Sequence, residues 1–202
     1  MPGAREFRHQ PADSKRRGLP AIGFSICVPE RLTLSQSPPI APDRARLVTV
    51  RELDRDGLLA GELEIVVFSA ALIMDRDGIL EQIASVEADR ALAAPASGRR
   101  ESLLPIDYPG GAAGYRAEVV LLRDGSGTVK PRVPYLWFCA LGTADIVDAG
   151  VFVTCRSTAP EWPAAEEVLA TLHIVRQGGS WSTVPEAAND EVPQLPMLHR
   201  RR

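Results

Sequence analysis

Cysteine, histidine and aromatic residues are scarce in this 202-residue chain, and long hydrophobic runs are missing. The three cysteines, Cys27, Cys139 and Cys155, show no C-x-x-C spacing. That argues against a disulfide framework and a thiolate metal site, and for three packed thiols in a reducing compartment; one pairing between strand neighbours stays open. Of the three histidines, only His173 lies within the periodic part of the sequence, so a Cys-His nucleophile would have to use it. No apolar stretch approaches the roughly 20 residues of a membrane-spanning helix. The longest, residues 63–74, is broken by Glu64 and Ser69. The first 20 residues contain no cysteine for lipid attachment and no apolar segment that would serve a signal peptide, so the sequence reads as cytoplasmic, without a membrane span.

Charge is uneven along the chain. Residues 1–20 carry five basic and two acidic groups, residues 177–202 balance, and the middle is therefore acidic by six charges within a net of -3. An acidic domain with a short basic arm lacks the basic stripe of a nucleic-acid binder, and no nucleic-acid partner is expected. Residues 1–20 read as a disordered basic arm, 21–176 as a single domain, and 177–202 as a flexible proline-containing tail, with Trp181 as the residue at odds with that boundary.

Within the domain, short apolar alternations are separated by turn residues. Phe24, Ile26 and Val28 form a first strand stopped by Pro29; residues 47–53 form a second, closed by Asp54-Arg55-Asp56-Gly57; residues 62–72 form a third that is apolar on both faces and therefore central. Asp75 opens a helix carrying Ile79, Leu80, Ile83 and Val86 at helical spacing. Strands are expected near 102–108, 114–122, 133–141 and 151–156, consecutive and so a meander. A last helix is expected from Thr158 and Glu161, at capping-box spacing, to about Val175. The fold class is α+β: a largely antiparallel sheet of about six or seven strands flanked by two main helices.

Constellations that could carry chemistry reduce to structural readings. The two Asp-x-Asp-Gly segments place glycine fourth, whereas a calcium loop needs it sixth. Gly110-Gly111-Ala112-Ala113-Gly114 lacks the lysine of a phosphate loop. Glu62 and Glu64 share a strand face that reads as solvent-facing. No catalytic residue, metal site or cofactor is expected. Tyr135 and Trp137 share one strand face and are the candidate binding residues, because apolar surface left uncovered by the helices would meet a partner.

The segments Gly23-Phe24-Ser25-Ile26-Cys27-Val28-Pro29-Glu30 and Gly150-Val151-Phe152-Val153-Thr154-Cys155-Arg156-Ser157-Thr158-Ala159-Pro160-Glu161-Trp162 resemble the first strand and the closing strand and helix start of bacterial PsbP-like domains, including DcrB-type proteins and type VI secretion effector chaperones. The resemblance implies a PsbP-like layered sandwich that binds another protein. The function expected is a non-catalytic protein-binding domain, an adaptor or chaperone for a secreted or envelope protein, with a homodimer as the other way to cover the exposed face. The competing classes are a hydrolase with an acidic or Cys/His site and a structural module of an assembly.

Overall fold

A computed structural model describes residues 3–36, 46–69, 75–93, 97–123, 131–144 and 146–177. Along the chain run β1 (Ala4–His9), α1 (Pro11–Arg16), β2 (Ile22–Pro29), β3 (Thr33–Gln36), β4 (Arg46–Leu53), β5 (Leu59–Ser69), α2 (Arg76–Leu92), β6 (Ser97–Asp107), β7 (Ala113–Arg123), β8 (Tyr135–Thr143), β9 (Ile146–Ser157), α3 (Pro163–Leu169) and β10 (His173–Arg176). The fold is α+β and mostly sheet. Its strands pair antiparallel in a seven-stranded sheet of order β3-β4-β5-β9-β8-β7-β6 and a three-stranded sheet of order β1-β2-β10.

Apart from its edge strand β3, whose Thr33-Leu34-Ser35-Gln36 carries a single apolar residue and was not expected, the large sheet follows the sequence pattern closely. Strands β6 to β9 form the meander, and β9 returns beside β5, which sits between β4 and β9 with Leu63, Ile65 and Val67 buried on one face. The β4-β5 hairpin closes where the Asp54 carboxylate accepts the amides of Asp56 (3.0 Å) and Leu58 (2.9 Å). Asp75 caps α2 by accepting the Gly78 amide at 2.9 Å. Alanines at 84 and 88 let α2 lie close to the sheet, and with Leu80 it buries Ala117, Val119, Phe138 and Ala140 on the outer face of β7 and β8. The expected turn at 124–127 and the tail beyond residue 177, Trp181 included, lie outside the described residues.

The small sheet closes the other face. Ile22, Phe24, Ile26 and Val28 of β2 are fully buried against Val50, Leu63, Ile65 and Val153, so the main core lies between the two sheets.

Both strands that flank β2 depart from the sequence reading. Residues 4–16, expected within a disordered arm, instead supply β1 and α1. Phe7 and His9 alternate with charged residues and point inward, with ring centroids 5.9 Å and 5.6 Å from Phe24, and His9 shares a 2.8 Å hydrogen bond with the buried Ser14. Gly18, at φ +73°, ends α1; its amide bonds the Lys15 carbonyl and that of Leu19 the Ser14 carbonyl, a Schellman motif. The last helix is also shorter than expected. It starts at the Trp162 cap and stops at Leu169, because Thr171 accepts the Cys27 amide at 2.8 Å while donating to the Val168 carbonyl at 2.7 Å, pinning the chain to β2 as it turns into β10. The Thr158–Glu161 capping box is not used, and Ile174 enters the core as a strand residue.

Candidate functional site

Strand register arranges the inner face of the large sheet in rows. One row crosses from β6 to β4 as Ser102, Glu118, Trp137, Cys155, Leu63 and Val50, and the next as Leu104, Arg116, Cys139, Val153, Ile65 and Val48. Both change from charged at β7 to aliphatic at β4. The three-stranded sheet faces the aliphatic end, and burial declines over β7 and β6, where Val120 is half-buried and Leu104 is 51% exposed.

Arg116 sits where the core gives way to this open part. Its guanidinium lies 4.4 Å from the centroid of the Trp137 ring and pairs with Glu166 of α3 and with Glu118 (2.9 Å). Ser102 donates to Glu118 at 2.8 Å, and the Tyr108 hydroxyl donates to Glu166 at 3.4 Å. The Nε of Arg116 is screened from solvent and has no hydrogen-bond partner among the described residues. Burial disfavours the Arg116 charge, but Glu166 and Glu118 outweigh it and hold the group above its ordinary pKa. Burial pushes Tyr108 up, leaving a neutral phenol that can only donate to Glu166. It pushes the Cys139 and Cys155 thiols up as well, so neither supplies a thiolate near neutral pH.

Trp162 forms one wall of the open region. Its ring lies over Gly61, and its indole N–H donates to Glu52. Beside it, Arg116, Glu161, Pro163 and Glu166 line a cavity of about 390 Å³.

Tyr135 and Trp137, the residues singled out from sequence, share this inner face, while Leu136 and Phe138 pack towards α2. Trp137 is not exposed: it is 3% accessible, because Arg116 lies across it and the core encloses the rest. Tyr135 is half-buried in the adjacent row, opposite Val120 and Ser157.

The other constellations stay apart from this site. Glu62 and Glu64 lie on the outer face but are buried rather than solvated, since Arg51 and Arg156 (2.9 Å) both pair with Glu62 and Arg156 reaches Glu64 at 3.3 Å. His173 alternates with the core residue Ile174 and therefore points away from Cys139 and Cys155; its Nδ1 bonds the Gly110 carbonyl at 3.1 Å. All three cysteines are free. Among the described residues no group of three or more His, Cys, Asp or Glu side chains is placed to hold a metal ion, and no helix is long and apolar enough to cross a membrane. Sequence reasoning missed Arg116, Glu166, Tyr108 and Trp162. The Arg116-Ala117-Glu118 alternation, which puts two charges on one face of an otherwise apolar strand, was the signal available.

No protein-family model matches the chain, and no curated protein matches it. A crystal structure from Bacteroides thetaiotaomicron VPI-5482 is similar with a TM-score of 0.43 and 14% identity, over 89% of this chain and 51% of that one. The chain thus spans about half the length of that protein, and a likeness of this degree carries no argument about fold or function. These findings do not link the chain to PsbP- or DcrB-type proteins.

Proposed function

We propose that this chain is a non-catalytic protein-binding domain that takes an extended segment of a partner protein along the open inner face at β6 to β8. The observation that carries the reading is the end of that face that no described element covers, where the half-buried Tyr135 and Val120 and the exposed Leu104 stand beside the Arg116–Trp137 stack and the cavity at Trp162. Tyrosine, tryptophan and arginine are the side chains that dominate binding surfaces, because each offers a large area with a polar end. Among the described residues strand β6 is an 11-residue edge that pairs only with β7, which offers its outer backbone groups to an added strand. Such a strand would bring alternate side chains next to Leu104 and towards Arg116. The two segments that resemble PsbP-like domains support the same class, an adaptor or chaperone, and the three free thiols suit a cytoplasmic setting.

The test is capture of partners from the native host by the tagged full-length chain, comparing Tyr135→Asp with Val86→Asp, an exposed site on α2 away from the inner face. A stoichiometric partner lost with Tyr135→Asp and kept with Val86→Asp supports the reading; a partner equally retained by both, or none with the unaltered chain, contradicts it. Light scattering on the same samples shows whether the occupant is a second copy of the chain.

A further inference from the structure

A second concavity, of about 330 Å³, lies at the β1 edge of the small sheet and shares no described residue with the cavity at Trp162. Its walls are Arg8 and His9 of β1, Asp13 and Arg16 of α1, Arg17 just beyond, and Gln36 at the end of β3. Among the described residues, three guanidinium groups and one carboxylate line it. Arg16 pairs with Asp13, and Arg8 with Glu6 at 2.6 Å. Arg17 forms no ion pair among the described residues, and its Nη1 is screened from solvent without a hydrogen-bond partner. An unpaired buried donor and a guanidinium without a counter-ion are both unfavourable, and an anion in the cavity would meet the rest of the Arg17 guanidinium, supplying the missing counter-charge.

The frame around it is rigid. The Schellman motif at Gly18 fixes the backbone that follows Arg17, and His9 is held between Ser14 and Phe24. We propose that this cavity binds a small phosphate-type oxyanion, either inorganic phosphate or a phosphomonoester, with Arg17 as the central donor and Arg16 and Arg8 at its sides. Guanidinium forks match the oxygens of a tetrahedral oxyanion, and a cavity of this volume leaves room for an organic group beside the phosphate.

The experiment is calorimetric titration of the full-length chain with inorganic phosphate and, separately, with glycerol 3-phosphate, against sodium acetate and sodium chloride at equal ionic strength. Saturable binding of one or both phosphates and none of the controls is expected, weakened at least tenfold by Arg17→Gln and less by Arg16→Gln. Tighter binding of glycerol 3-phosphate assigns the site to a phosphomonoester; equal affinity assigns it to the free ion. Heat effects that the chloride reproduces overturn the proposal, as does an Arg17→Gln protein with an unaltered melting temperature and unaltered affinity. Should Arg17→Gln fail to fold, Arg16→Gln decides, since the Arg16 side chain is 74% exposed: unchanged phosphate affinity there overturns the site.

Discussion

The indole of Trp162 rests on the backbone of Gly61 so closely that a methyl group at residue 61 would overlap the ring. This contact joins the start of α3 to the middle of the large sheet, and the Trp162–Glu52 hydrogen bond fixes the ring's direction. Gly61→Ala is expected to destabilise by about 1–3 kcal/mol through overpacking, and Trp162→Ala by about 3–5 kcal/mol through lost burial and a cavity. In the Trp162→Ala background the Gly61→Ala cost should nearly vanish, because the clash partner is gone. Urea denaturation of the four proteins measures the coupling.

Tyr135 and Trp137 share a face but not a role. Trp137→Ala removes a buried ring and the platform under Arg116, and should cost about 3–5 kcal/mol. Tyr135→Ala, at a half-buried position, should shift the melting temperature far less. Equal losses for both would place Tyr135 in the core and remove it as a binding residue.

The cysteines supply a second check on the inner face. Burial holds Cys139 and Cys155 as neutral thiols inside the main core. Iodoacetamide at mildly alkaline pH should leave both unmodified in the native chain and alkylate both in urea, as read by mass spectrometry of peptides. Native modification of Cys155 would show that the sheets open there.

His9 gives the N-terminal segment a pH signature. Burial lowers its pKa below the ordinary 6.5, and Arg17 lowers it further against the opposing field of Asp13. The unfolded chain therefore binds the proton more readily than the folded one. The stability His9 contributes is complete above pH 6.5 and is lost as the pH falls towards its lower folded pKa, with a slope of at most about 1.4 kcal/mol per pH unit. Chemical denaturation of the unaltered chain and of His9→Gln between about pH 7.5 and 5.5 isolates it: the difference in their slopes should disappear if residues 4–9 do not form β1.

Six of the seven strands of the large sheet were legible in the sequence because their signals are local: alternation over each strand, Asp54 and Gly57 at a tight turn, Asp75 at a helix cap; the four-residue edge strand β3 was too short to show one. The flanking strands were not. β1 hides two inward rings between charges, and His173-Ile174-Val175-Arg176 continues a helical apolar period while its backbone bonds lie with β2, a partner about 150 residues away in sequence. The candidate site shows the same division. The shared face of Tyr135 and Trp137 follows from period two, whereas the cover over Trp137 depends on Arg116 of β7 and Glu166 of α3 meeting in space.

The most direct test of a binding face at β6 to β8 is a photo-crosslinking amino acid placed in the full-length chain at Tyr135, at Leu104 and, as a control, at Val86, followed by irradiation in the native host. Crosslinks from positions 104 and 135 to one and the same protein, with none from 86, are the predicted result. No crosslink from 104 or 135, or the same products from 86, would contradict it.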